Sequence, residues 1–412
     1  MNHYSDVIII GGGAAGFFGA INTAIQNKNL SITILEASPQ VLGKVKISGG
    51  GRCNVTHHCF NPSELINYYP RGNKELRGAF ARFQPQDTIN WFESRGVKLK
   101  TEGDGRIFPI SDDSQTIIDC LVKNAQKLGI KILTKTPVKD INKSESGFNL
   151  TLKSGEILTA KYLLIATGSN PLGYQWAKKL GHSIQSPIPS LFTFKINDVR
   201  IKDLAGVSVN NVDIYLDIKL KKKLEQSGAL LITHWGLSAP AVLKLSAWGA
   251  RVLYDHKYNV PLIINWLPEY NLESIKAKLQ EIKLSISKQK VINYSQFNLP
   301  KRLWQSLVNY SLTNNQKIWA DLTKKEMDNL SIELTKGKYI IEGKGMFKEE
   351  FVTCGGVTLK EVDFKTMMSK ICPNLFFAGE ILDIDGVTGG FNFQNAWTTG
   401  YLAGIGINQL EG

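Results

Sequence analysis

The run VIIIGGGAAG, residues 7–16, constrains this chain more than any other feature. Val7 to Ile10 are four consecutive β-branched residues, the pattern of a short strand buried on both faces of a parallel sheet. Glycines follow without a gap, and Gly11, Gly13 and Gly16 satisfy G-x-G-x-x-G. Such glycines permit a tight turn, close approach of backbone to a pyrophosphate, and close packing of helix on strand. A helix is expected from near Ala14 to about Ile25, with Ala14 and Ala15 in the first turn and its free N–H groups facing phosphates. A second strand, residues 32–35, ends at Glu36 and Ala37, about twenty residues past the last glycine, where a ribose-binding acid belongs. Together these elements predict a dinucleotide-binding βαβ unit.

At 412 residues the chain is too long for one simple core, and 43% hydrophobic residues can fill two or three. No apolar run is long enough to span a bilayer, and the glycine-filled N-terminal patch lacks the basic leader of a signal peptide. Five cysteines without a C-x-x-C pair argue against a disulfide framework or a zinc site, so no metal is expected. These features predict a soluble cytoplasmic protein. The net charge is +13, and residues 190–346 hold 23 Lys plus Arg against 14 Asp plus Glu. Such a balance steers anions, either nucleic acid or a small acidic ligand. The compact run Lys221-Lys222-Lys223 reads as a solvated loop tip without interleaved aromatics, so nucleic acid is not the expected partner. Nothing in the sequence sets an oligomeric state.

Beyond the first unit, a glycine-rich loop is expected, then one helix over residues 80–94 and a hairpin turning at Gly103-Asp104-Gly105. A helix capped by Asp112 or Asp113 should run to Leu128, followed by a meander and the buried strand of KYLLIATGS, ending at Ala166-Thr167-Gly168. Residues 190–268 read as β-rich and 269–346 as mainly helical, with a capping box at Thr323 and Glu326. From residue 347 the chain returns to strands and glycines and ends in a helix starting near Asn392. The predicted fold is therefore α/β: a split Rossmann-like domain, residues 1–189 and 347–412, carrying an inserted substrate or lid domain, residues 190–346.

The strand before Ala166-Thr167-Gly168 and the C-terminal FFAGE resemble the second and third FAD signatures of glutathione-reductase-like flavoproteins. A final helix aimed at the pyrimidine edge of a flavin also makes electrostatic sense, because reduced flavin is anionic there. The resemblance narrows further. KISGGGRCNVT (46–56), GRIFP (105–109), THWGLSAPAVL (233–243), TCGGVTLKEVDFKTMMSK (353–370) and GEILDIDGVTGGFNFQNAWTTG (379–400) are similar to blocks of the bacterial BaiN/RdsA-type family of FAD-dependent oxidoreductases. That resemblance implies non-covalent FAD held by Gly11, Gly13, Gly16, Glu36, Lys44, Gly50, Gly51, Arg52, Cys53, Asn54, Val138, Ala166, Thr167, Gly168, Gly379, Glu380, Asp385, Gly390, Phe391 and Asn392. It also implies redox chemistry on a small enone or amine. The sequence departs from the family pattern at Ala239, where glycine is common, and at Cys354, where alanine often stands.

The candidate catalytic residues are His234, Cys354 and Arg52. His234 lies within a family-like block, and its imidazole titrates near neutrality. Cys354 precedes two glycines, and Arg52 carries a charge able to face phosphate or the flavin N1–C2=O edge. Cys53 and Cys59 are spaced unlike a redox disulfide, and Cys53 reads as a small buried residue. Only one full dinucleotide signature exists, so either NADH or NADPH docks transiently as donor, or the substrate reduces the flavin and an outside acceptor clears it. The leading reading is a flavoenzyme passing hydride through N5 to or from a small organic substrate. The alternatives are a tRNA-modifying flavoprotein and a non-catalytic FAD-stabilised scaffold.

Overall fold

The computed structural model describes residues 4–293, 295–345 and 352–410. The chain divides into two compact units, Met1–Ile188 with Val352–Gly412, and Pro189–Phe351. The expected boundary at residues 346 and 347 lies outside the described residues.

The first unit is built on a sheet whose central strands are parallel. Lys131–Leu133, Ile32–Leu35, Tyr4–Ile10, Ile157–Ile165 and Leu375–Phe377 follow one another across it. Val7, Ile9, Ile34, Leu163, Leu164 and Ile165 are all fully buried, as continuous apolar runs in a sheet covered on both faces require. The chain returns for the Leu375–Phe377 strand only after the whole second unit has been made. Its pairing with Ile157–Ile165 closes the split domain.

Two helices on this sheet matter for function, Ala14–Gln26 and the last helix, Phe391–Gln409. They cross at small residues: a methyl group built on Gly400 would sit 2.7 Å from the Ala15 carbonyl, and one on Gly404 2.9 Å from that of Gly19. Without side chains at the crossing, the helices approach at backbone distance.

Three expectations need correction in the first unit. The glycine-rich loop is a kinked helix, Gly43–Gly51, broken where Ser48 is extended and Gly49 and Gly50 have positive φ. The single helix over 80–94 is two, Asn73–Phe80 and Pro85–Glu93, because Gln84 and Asp87 form a capping box around Pro85 that starts a new helix. The helix Gln115–Lys127 begins after Ser114, although Asp113 still accepts a hydrogen bond from the Gln115 N–H at 2.8 Å.

The second unit is a seven-stranded sheet with helices packed on it. Its core is rich in large rings, with Trp266, Trp304, Trp319 and Tyr339 buried together. The stretch expected to be β-rich also contains the helices Pro240–Trp248 and Ala250–Asp255, and the mainly helical stretch ends in the strands Gly337–Ile341 and Gly343–Lys344. The capping box at Thr323 and Glu326 is present, and it starts the helix Lys324–Lys336.

Candidate cofactor and active site

The carboxyl ends of four parallel strands converge in the first unit, the position where open α/β sheets take their ligands. Gly11 follows the first strand with φ at 112°, and a methyl group there would lie 2.3 Å from the Ala166 carbonyl. A methyl group on Gly16 would lie 2.0 Å from the Gly11 carbonyl, so helix and turn touch through backbone. Glu36 leaves the second strand and accepts from the Gly12 N–H (2.8 Å) and the Ser38 N–H (2.8 Å). Gly168 faces the Glu380 carboxylate across 3.5 Å from its would-be Cβ, and one on Gly379 would lie 2.8 Å from the Ala15 methyl. The four loops thus form one continuous rim.

This rim fits a dinucleotide. Gly13 caps the first helix without a side chain, and a Cβ added there would meet nothing within 4 Å. The N–H groups of that first turn therefore face open space with a positive dipole end, as a pyrophosphate requires. Each Glu36 oxygen accepts one backbone N–H and retains a lone pair for a ribose hydroxyl. Ala37 is exposed beside it, and Val138 is buried at the start of the strand Val138–Ser144. The last helix also starts without a side-chain cap, at Gly390 with φ at 92°. A methyl group on Gly390 would strike the Thr56 carbonyl at 2.6 Å, so only glycine fits beside the 52–56 segment. Asn54, with its amide oriented to satisfy its neighbours, accepts from the Gly390 N–H at 2.9 Å and donates to the Thr56 and Ile107 carbonyls.

Several residues expected at the cofactor have partners of their own. Arg52 bonds Glu102 at 2.6 Å and stacks on Phe108 at 4.0 Å. Its hydrogen bond to Glu102 holds the guanidinium pKa above its ordinary value. Lys44 bonds the Glu380 carboxylate, whose other oxygen accepts the Thr353 N–H at 3.0 Å. Asn392 closes the preceding loop, accepting from the Gly386 N–H and donating to its carbonyl, both at 2.9 Å. The Thr167 hydroxyl is buried against Gly173, without a partner. Gly50 and Gly51, with φ at 69° and 85°, are open on the side a Cβ would take. Cys53 is fully buried, and burial pushes its thiol up to about 12, which makes it inert. None of the five cysteines forms a disulfide.

The loop before the last helix holds Asp385 and Phe391, both expected at the cofactor, and is fastened by Arg71, Tyr68 and Tyr69, which sequence reasoning missed. Arg71 donates through Nε and Nη2 to both carboxylate oxygens of fully buried Asp385. The Tyr69 hydroxyl donates to the Phe391 carbonyl at 2.6 Å, and the Val387 N–H to the Tyr68 carbonyl at 2.8 Å. The Tyr68 ring stacks on buried Phe391 at 4.3 Å, with His57 at 4.6 Å from the same ring. Cys354 is buried on the strand Val352–Val357, within electrostatic reach of Arg71. His234 belongs to the second unit and is exposed at a hairpin tip. Of the three candidate catalytic residues, Arg52 and Cys354 belong to the first unit and His234 to the second.

Comparison with known proteins agrees with this geometry. Residues 5–406 match the HI0933-like protein Rossmann domain family. A ribosomal RNA dihydrouridine synthase of Haemophilus influenzae is 29% identical over 425 residues, covering 99% of this chain and 100% of that protein. A 3-dehydro-bile acid delta(4,6)-reductase of Clostridium scindens is 28% identical over 409 residues, covering 96% and 97%. The 3-ketosteroid-delta4-(5alpha)-dehydrogenase of Rhodococcus jostii RHA1 has the same fold, with a TM-score of 0.53 at 14% identity over 98% of this chain and 96% of that one. The chain belongs to the HI0933-like family, the BaiN/RdsA type of FAD-dependent oxidoreductases.

Proposed function

We propose that this protein is a reductase of carbon–carbon double bonds conjugated to a carbonyl, and that its substrate is a uracil ring in ribosomal RNA. Full-length similarity to two relatives whose names share one chemistry supports this reading. Making dihydrouridine and reducing a Δ4,6 double bond of a 3-oxo bile acid both add two hydrogens across an alkene polarised by a carbonyl. The charge favours RNA as the carrier of that alkene: the chain is +13 overall, and a phosphate backbone repays such a surplus through counterion release. This departs from the expectation, drawn from the basic insertion's lack of interleaved aromatics and of an RNA-binding motif, that nucleic acid is not a partner.

FAD supplies hydride chemistry when bound, with NADH or NADPH as the external donor. In the uracil the C5=C6 π bond breaks and two C–H bonds form, one from hydride and one from a proton. The chain's residues hold and orient. Glu36 takes the adenosine ribose, the bare N-terminus at Gly13 takes the pyrophosphate, and the N-terminus at Gly390 offers a positive end to a flavin ring. The welded 383–391 loop keeps that second N-terminus fixed.

The test is anaerobic. The FAD-loaded protein is bleached with NADH or NADPH, then offered ribosomal RNA, free uridine or a steroidal enone. Return of the yellow colour with ribosomal RNA, and not with the enone, is the expected result. Return with the enone alone would replace RNA by a small-molecule substrate, and no bleaching by either nicotinamide would remove both as donors.

A further inference from the structure

The second unit presents one aromatic residue to solvent in a way its packing does not explain. Trp235 sits between the strands Glu225–Thr233 and Gly236–Ser238, at the tip of their hairpin, and is 56% exposed. No other tryptophan of the chain is among its exposed large apolar residues. Leaving so large a ring in water forgoes roughly 1.5–3 kcal/mol of burial, and such rings mark interaction sites more often than lone aliphatics do.

The tip is rigid. The Trp235 carbonyl accepts from the Ile196 N–H at 3.0 Å, and the Trp235 N–H donates to the Thr233 hydroxyl at 3.3 Å. That hydroxyl in turn donates to the Gly236 carbonyl at 3.2 Å. Gly236 has φ at 145°, and a methyl group there would strike the Phe194 carbonyl at 2.3 Å. The backbone therefore holds the indole out at little further entropic cost to a partner. Exposed His234 adds a second ring.

The surroundings select the partner. No Asp or Glu occurs between Glu225 and Asp255, while Lys244 and Arg251 lie in that interval. Exposed Lys195 stands opposite Gly236 in the strand pairing. The tip offers one exposed flat ring. It can slide a flat ring against another flat ring while neighbouring cations meet phosphates.

We propose that Trp235 is a base-stacking finger: it takes an unpaired nucleobase of the RNA substrate onto its indole face. The proposal rests on the RNA reading of function. It adds a recognition element in the inserted unit that the lysine run at 221–223 does not supply.

The experiment follows tryptophan fluorescence of the FAD-loaded protein on titration with a U-rich single-stranded oligonucleotide, at several salt concentrations, with acrylamide reporting the accessible ring. RNA should quench the acrylamide-accessible emission. Trp235→Ala should lose that quench and bind about tenfold more weakly or worse, with a melting temperature little changed because more than half of the residue is exposed. Trp235→Phe should recover part of the affinity. Salt-dependent RNA binding that neither quenches the accessible emission nor weakens in Trp235→Ala would overturn the finger and leave the RNA reading standing. Absence of RNA binding at low salt would overturn both, and quenching by a steroid or a protein in place of RNA would overturn the finger as a nucleobase site.

Discussion

Arg71 and Asp385, far apart in sequence, meet as a bidentate ion pair in which the carboxylate is fully buried and the guanidinium nearly so. Desolvation opposes the Arg71 charge, and the Asp385 carboxylate more than restores it, so the pair stays ionised. It fastens the loop that leads into the last helix. Asp385→Asn removes one charge and strands the other, which costs about 3–5 kcal/mol. The denaturation midpoint of the variant should fall accordingly, with weaker FAD retention. A paired apolar replacement, Arg71→Met with Asp385→Leu, should recover most of the stability, and failure of that recovery would mean the pair does more than hold the loop.

Ala239 has φ at 79° and ψ at 176°, a region open in practice only to glycine. The strain accounts for the expectation, drawn from the resemblance, that glycine would stand here. Ala239→Gly should stabilise the protein by about 1 kcal/mol, seen as a higher thermal midpoint. An unchanged or lower midpoint would show that the conformation is not strained in solution.

His182 is buried between two partners, with Nε2 at 2.8 Å from the Ser369 hydroxyl and Nδ1 at 3.1 Å from Glu361. The Ser369 oxygen already accepts from the Ile371 and Cys372 N–H groups, so its proton goes to Nε2 and the ring is held neutral. Burial lowers the His182 pKa against the opposing pull of Glu361. The unfolded state therefore binds a proton that the folded state refuses. The contribution is full above the ordinary histidine value, about 6.5, and is lost as pH falls through it toward the depressed folded value. Urea midpoints should decline over that range, and His182→Gln should flatten the decline. An equally steep profile in the variant would assign the pH dependence elsewhere.

Glu36 accepts two backbone N–H groups, and in the proposed site it receives the adenosine ribose. Glu36→Arg puts a cation where hydroxyls must be accepted, and the purified variant should carry little flavin by absorbance. Full FAD content would move the ribose site away from Glu36.

The glycine turn and the acid beside it were legible because each has a local reason to be what it is. Gly11 and Gly16 permit backbone contacts that any side chain would block, and the acid at 36 ends a strand. The break between the helices at 73–80 and 85–93 carried a signal, Pro85 flanked by Gln84 and Asp87, that apolar spacing alone does not weigh. The close crossing at Gly400 and Gly404 also carried one, in its small-residue spacing. The Arg71–Asp385 pair carried none: single charges with no periodicity between them are joined only by the tertiary fold.

The central claim is reduction of a conjugated double bond in RNA. Its most direct measurement mixes photoreduced, FAD-loaded protein with ribosomal RNA in the absence of oxygen, digests the RNA and counts dihydrouridine by mass spectrometry. One dihydrouridine is expected for each flavin reoxidised, at a defined position. Flavin that stays reduced beside intact ribosomal RNA, with no dihydrouridine formed, would contradict it.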